Sequence, residues 1–283
     1  MARLSPKQLG ICSWSLGPKN PADLADKMQQ VGVNKVQLAL NPLRDNPKLW
    51  GNVKQVLADR DVQIVSGMFG CIGEDYSTLE SIRRTGGIVP DKHWQGNLQI
   101  VKDAAQLCAG LGLTLVSTHA GFLPEDHADP DHAKLVDRIG QMATVVGDKG
   151  LTLLFETGQE TADNLASFLD IMRRQRITNV GVNFDPANMI LYGKGEPVTA
   201  LKKLLPWVRQ IHVKDAVATT TPGTWGAEAP VGEGDVDWRP FVQTLADGRF
   251  TGDLIIEREG GSQRIAEARS AADLITRLMG ESR

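Results

Sequence analysis

Four short apolar runs in the second half of the chain each stop at a side chain able to bind a metal or move a proton. LLFETG at 153–158 delivers Glu156, GVNFDPAN at 181–188 delivers Asp185, IHVKD at 211–215 delivers His212, and LIIERE at 254–259 delivers Glu257. Runs of this kind are strand signatures, and side chains along a strand alternate between two faces. Parity places Glu156 in the row of Leu154, Asp185 with Asn183, His212 with Gln210 and Lys214, and Glu257 with Ile255. Phe155, Phe184, Ile211 and Ile256 fall in the opposite row, suited to covering helices. If the four strands lie parallel and adjacent, the four polar groups meet at one point. A buried carboxylate is costly unless it is paired or bound to a cation, so three of them beside an imidazole call for one divalent ion. Such a donor set suits Mn²⁺ or Mg²⁺ and is compatible with Co²⁺ or Zn²⁺. The alternative is ion pairing with Lys214, Arg258 or Arg209.

Other candidates surround this quartet. Lys214 lies one pleat nearer the strand end than His212, where an ammonium could stabilise a developing enolate, bind an anionic group, or pair with Asp215 or Glu257. His119 ends the run LTLVSTHA at 113–120 on the row of Ser117; it could bond substrate, orient Glu156, or sit as a satisfied core histidine. Trp14 closes the first strand, and Trp94, Trp225 and Trp238 lie in or beside long connections, fit either for an aromatic wall against a sugar or for ordinary packing. VGEGDVDW at 231–238 lacks the third glycine and the strand-then-helix setting of a phosphate loop. It is expected to be a structural turn, with Glu233 able to reach a pocket rim. His127 and His132 are expected in a solvated loop before a helix that Asp129 and Pro130 start. Cys12, Cys71 and Cys108 show no C-x-x-C spacing, which argues for small apolar filler and against a disulfide or a structural zinc site.

The elements that must position these residues alternate short β-rich runs with amphipathic stretches, and eight such units can be counted. Strands are expected at 9–15, 35–40, 61–69 and 113–120, followed by the four runs above. Helices are expected from Asn20 and Pro21, over about 47–59, 92–111, 131–149, 161–175 and 197–204, from near Trp238, and over about 264–279. The predicted fold is α/β, a single-domain (β/α)8 TIM barrel spanning 1–283, although the length also admits two smaller domains. The connections after the third and seventh strands exceed what a plain turn needs and emerge at the face where such barrels build their sites. They are candidate lids or pocket walls, or else oligomer contacts or mobile loops.

The 283 residues are 41% hydrophobic and 23% charged, enough to bury a substantial core. A formal charge of −3 and a pI near 6.0 give no electrostatic reason to expect nucleic acid. The opening MARLSPKQLG has no basic-then-apolar leader pattern, and no apolar run approaches membrane-spanning length. A cytoplasmic protein with no membrane partner is expected, compatible with a homo-oligomer.

The Glu, Asp, His and Glu strand ends, together with FDPAN, IHVKD and VGEGDVDW, resemble the sugar phosphate isomerase/epimerase family of xylose-isomerase-like TIM barrels along essentially the whole chain. The resemblance implies that Glu156, Asp185, His212 and Glu257 ligate one metal, with Glu156 and Glu257 as the proton-transfer pair. Ketose 3-epimerases of that family carry a substrate-contacting histidine where this chain has Asn188, and an arginine where it has DAVATT. The activity implied is metal-dependent isomerisation or epimerisation of a small sugar or keto-sugar through a cis-enediolate. The alternative is β-elimination from a keto-sugar or inosose, with His119 or Lys214 as the acid. Endonuclease chemistry would need further histidine ligands that the chain lacks at Asn188, Met68 and Phe69. A non-catalytic metal-binding subunit would be told apart by absence of turnover.

Overall fold

Eight parallel strands close into a barrel in the computed structural model, which describes residues 4–221 and 223–282. They are β1 (Leu9–Cys12), β2 (Lys35–Ala39), β3 (Gln63–Met68), β4 (Leu115–Thr118), β5 (Thr152–Glu156), β6 (Val180–Phe184), β7 (Val208–Val213) and β10 (Asp253–Ile256). Each pairs with its neighbours in sequence order, and β10 lies between β7 and β1. Between β7 and β10 comes a small antiparallel hairpin, β8 (Asp215–Val217) with β9 (Ala227–Ala229). The expected (β/α)8 barrel is therefore the observed fold. The reading of the amino terminus falls partly on residues 1–3, which lie outside the described residues.

The outer helices follow from their apolar spacing. In α1 (Pro21–Val31), Leu24, Ala25, Met28 and Val31 are buried at three- and four-residue intervals, as one face of a helix requires. Asn20 caps its start by accepting from the N–H of Asp23, and Gly32 ends it at φ 88°, a conformation glycine adopts without strain. The long helices α6 (Trp94–Leu111), α7 (Pro130–Gly147), α8 (Ala162–Arg174) and α12 (Arg264–Glu281) bury comparable stripes. Shorter helices complete the ring: α5 (Leu79–Thr85), α9 (Pro186–Leu191), α10 (Pro197–Leu204) and α11 (Trp238–Asp247). None of the described helices is long and apolar enough to cross a membrane.

Two expected elements take another form, and α5, α9 and the β8–β9 hairpin lie where only connections were expected. The helix expected over 47–59 is three short ones, α2 (Asn41–Asp45), α3 (Pro47–Trp50) and α4 (Val53–Ala58). Pro47 excludes Asn46 from the helical region, leaving it at φ −137° and ψ 66°, and Gly51 and Asn52 interrupt the chain again. The first strand stops at Cys12, and a 3₁₀ turn takes Ser13–Leu16. Ser13 Oγ accepts from the N–H of Ala39 at 2.9 Å and Ser15 Oγ from that of Arg258 at 2.9 Å. Side-chain oxygens thus take over the ladder on both flanks, which frees the backbone to turn.

Helices cover the outer row of the barrel, where Phe184 meets Phe241 of α11 at 5.9 Å between ring centroids. The inner row is polar beneath the site. Gln37, Ser66, Ser117, Asn183 and Gln210 are all buried there, and they bond one another: Gln37 Nε2 donates to Ser117 Oγ at 2.7 Å, and Ser66 Oγ to Gln210 Oε1 at 2.6 Å. Buried polar groups are affordable only when satisfied in this way.

Candidate metal centre and active site

The strand ends carry out the convergence that parity predicts. One donor atom from each of Glu156, Asp185, His212 and Glu257 lies within 4.8 Å of every other, and all four residues are buried. Glu156 is the last residue of β5, while Asp185 and Glu257 lie one step beyond β6 and β10. His212 Nδ1 is 3.3 Å from Glu257 Oε2, 3.5 Å from Glu156 Oε1 and 3.6 Å from Asp185 Oδ2.

Each side chain is held from behind. Gln37 Oε1 sits 2.7 Å from His212 Nε2, so an Nε2–H donates to it and leaves the Nδ1 lone pair facing the carboxylates. Asp185 Oδ1 accepts from the N–H of Asn188 at 2.9 Å as the cap of α9. The Thr157 hydroxyl accepts from the N–H of Asp185 and donates to its carbonyl, pinning that backbone. Asn188 Nδ2 donates to Glu156 Oε1 at 2.8 Å. Its approach requires Gly158, because a Cβ there would collide with the Cβ of Asn188. Glu257 is clamped on both oxygens, by the indole N–H of Trp14 at 2.6 Å and by Lys214 Nζ at 2.9 Å.

These residues fit a bound divalent cation. Glu156 Oε2, Asp185 Oδ2 and His212 Nδ1 are buried without a hydrogen-bond partner. Burial disfavours charge at every one of them. It pushes Asp185 up to about 6, although Lys214 pulls the other way. At Glu257 burial is outweighed by Lys214 and His212, which hold the carboxyl well below its ordinary value. At Glu156 it is outweighed by His119 and His212, which bring that carboxyl below the ordinary value too. Burial also opposes a charged His212, yet Cys12, Glu257 and Glu156 raise it well above its ordinary value. A cation held at this point would satisfy Asp185 Oδ2 and His212 Nδ1 together and offset the buried carboxylates, and Glu156 turns Oε1 toward the same point.

The ion-pair alternative is realised only through Lys214, which donates to Glu257 and, at 2.8 Å, to Glu259 Oε2, and approaches Asp185 Oδ2 at 4.0 Å. Arg258 instead pairs with Glu228 and Glu267 at 2.6 Å each. Arg209 turns outward to the carbonyls of Pro206 and Val208. Asp215, the other suggested partner of Lys214, is a structural hub: it accepts from the N–H groups of Ala216, Gly232 and Val236 and from the indole of Trp238. That explains VGEGDVDW, since a Cβ on Gly234 would strike the Asp215 carboxylate and Gly232 sits at φ 92°. The motif is a turn wrapped on an aspartate, and Glu233 does not line the cavity.

A cavity of about 770 Å³ opens above the four converging side chains. His119, one residue past β4, lines it with Nε2 3.7 Å from Glu156 Oε2 and Nδ1 unpartnered. Trp14 lines it because the 3₁₀ turn, not a strand end, carries it inward. Both long connections furnish walls, the first through Glu74 and Tyr76 and the second through Trp225, Gly226 and Glu228. Of the other tryptophans singled out, Trp238 is buried on Asp215, and Trp94 lies under Arg138 at 5.0 Å. His127 is exposed in the loop that Asp129 and Pro130 end by starting α7, as expected, whereas His132 lies inside that helix, stacked on His127 at 4.4 Å and buried against Phe168. Cys12 is the expected buried filler with an added contact, its Sγ 3.7 Å from His212 Nε2. Sequence reasoning missed Gln37, Asn41, Glu74, Tyr76, Thr157 and Tyr192 around the site. Only Thr157 carried a local signal, as the residue following Glu156.

A family model described as xylose isomerase-like TIM barrel matches residues 25–278, and the chain belongs to that family. A xylose isomerase domain protein from Planctomyces limnophilus is 32% identical, with a TM-score of 0.83 over 90% of this chain and 92% of that one. A xylose isomerase-like TIM barrel protein from Mycobacterium smegmatis, solved in complex with magnesium, has a TM-score of 0.73 at 18% identity over 99% of both chains. An inosose dehydratase from Clostridium tetani is 22% identical over 145 residues, 46% of each chain, so the match spans less than half of that relative's length. Sugar 3-epimerases share the fold at 15% identity, which speaks to architecture alone.

Proposed function

We propose that the chain is a divalent-metal-dependent isomerase or epimerase that removes a proton from carbon next to the carbonyl of a small-molecule carbohydrate. The observation that carries this reading is the unpartnered Glu156 Oε2, buried beside three other ligand-type groups at the floor of a sugar-sized cavity. A bound divalent cation supplies positive charge beside the carbonyl oxygen and acidifies the neighbouring C–H. Mn²⁺ or Mg²⁺ suits the donor set.

The chain's own residues divide the remaining work. Glu156 accepts the proton at Oε2, while Asn188 fixes its other oxygen and His119 stands ready to orient it or to donate. Lys214 keeps a positive charge beside Glu257, because the surrounding carboxylates overcome the burial that opposes it. Trp14 offers an indole face at the wall and holds Glu257 through its N–H.

A second reading, elimination of a β-hydroxyl, is favoured by one asymmetry. Both oxygens of Glu257 are engaged by donors, so Glu257 is poorly disposed to be a second base, and His119 beside Glu156 is placed to serve as the acid. The inosose dehydratase relative points the same way.

A panel of keto-sugars and inososes followed by NMR in D₂O tests both. The expected result is solvent deuterium at the carbon next to the carbonyl, lost in Glu156→Gln by about 10²-fold or more. Elimination predicts loss of the β-hydroxyl and exchange that depends on Glu156 alone; two-base epimerisation predicts that Glu257→Gln also stops inversion. Full activity in both variants would place the base elsewhere, with His119 next to be replaced.

A further inference from the structure

The walls above the four strand ends are one-sided in charge. Glu74, Glu228 and Glu259 line the cavity together with Glu156 and Glu257. Among the described residues, Lys214 is the one lysine of the lining, and no arginine lines it. That ammonium is already held between Glu257 at 2.9 Å and Glu259 at 2.8 Å, with its side chain 5% exposed. The guanidinium of Arg258 lies behind the wall, committed to Glu228 and Glu267. Arg83 and Lys194 sit over the ring of Phe122, outside the lining. The rest of the surface offers aromatic faces and neutral polar groups, including Trp14, Tyr76, Tyr192, Trp225, Asn41 and Asn188.

Resting on the enolising reading above, the geometry points to an uncharged polyhydroxylated ketone as the substrate class, with phosphorylated and carboxylated analogues selected against by the cavity wall. A phosphate or carboxylate would enter among carboxylates and find no free lysine or arginine, since engaging Lys214 means breaking its pair with Glu259, and the one lining imidazole, His119, stands beside the Glu156 carboxylate. A divalent ion on the floor does not reverse the balance, because Glu156, Asp185 and Glu257 together exceed its charge. Hydroxyl groups, in contrast, donate to these acceptors, and the C–H faces of a ring lie against indole and phenol surfaces. Glu259, whose side chain is 55% exposed, is the charge that an incoming anion meets while it still holds Lys214.

The test is isothermal titration of the whole chain in Mg²⁺, and again in EDTA, with matched probes. D-Fructose and scyllo-inosose are the neutral pair; D-fructose 6-phosphate and 2-keto-D-gluconate carry the phosphate and the carboxylate. The expected result is a preference of about tenfold or more for the neutral probes, narrowing as salt rises. Glu259→Gln, by releasing one hold on Lys214 and removing a wall charge, should improve binding of the phosphate relative to fructose about threefold or more. Either anion binding as tightly as its neutral counterpart overturns the inference, as does failure of both neutral probes to bind. Anion-selective binding with deuterium exchange retained removes this inference alone. Neutral-selective binding with no exchange in any compound removes the enolising reading alone.

Discussion

Glu156 and Glu257 stand at equivalent strand ends, yet their oxygens have different freedom. Trp14 and Lys214 saturate Glu257, whereas Glu156 keeps Oε2 free of any hydrogen-bond partner. Strand parity was enough to bring both residues, with Asp185 and His212, to one point, because it depends only on alternation within each run. It could not say which oxygen is free, since the clamps arrive from β1's turn and from the residue after Val213. Lys214 is where the two sequence readings meet: it is an ion-pair partner and a cavity-lining cation at once. If its charge supports a developing enolate, Lys214→Met should lower kcat by about 10²-fold or more while leaving metal content intact. Steady-state rates beside elemental analysis check this, and normal turnover would reduce Lys214 to its pairing with Glu257 and Glu259.

The turns and loops between elements decide which side chains reach the cavity, and here the sequence was least legible. Ser13 and Ser15 alternate as strand residues do, but their hydroxyls accept neighbouring N–H groups and convert the strand end into the turn that carries Trp14. Tyr76 and Trp225 come from connections whose paths depend on distant anchors, such as the N–H of Gly87 on Glu74 and that of Gly232 on Asp215. The loop after β5 holds a further consequence. Glu160 is buried, which pushes its carboxyl up to about 8 even though Lys194 pulls it down. A group raised in the folded state stabilises the fold fully below its unfolded value, near 4.5, and that contribution is lost as pH climbs through about 8. Glu160→Gln, neutral at every pH, should therefore raise the melting temperature at pH 9 by several degrees and change it little at pH 4.5. Melting curves at the two pH values check this; the same shift at both would show that Glu160 is charged in the fold or lies in a wetter setting.

Closure of the barrel makes one centre out of residues spread from Trp14 to Glu259. The βα rhythm made that closure legible, because eight alternating units leave few topologies once crossovers are right-handed. Parity placed Asn183, Gln210 and Ser117 on the inner row, but the bonds across it, Gln37 with Ser117 and Ser66 with Gln210, were not legible, since the partners lie on different strands. The row matters because it sets the face that His212 turns to the carboxylates. The most direct measurement is the divalent metal content of the purified chain beside Asp185→Ala and His212→Ala, after equal exposure to Mn²⁺ or Mg²⁺ and removal of free ion. About one ion per chain in the unaltered protein, falling to background in both variants, is the predicted result; equal content in all three would contradict it.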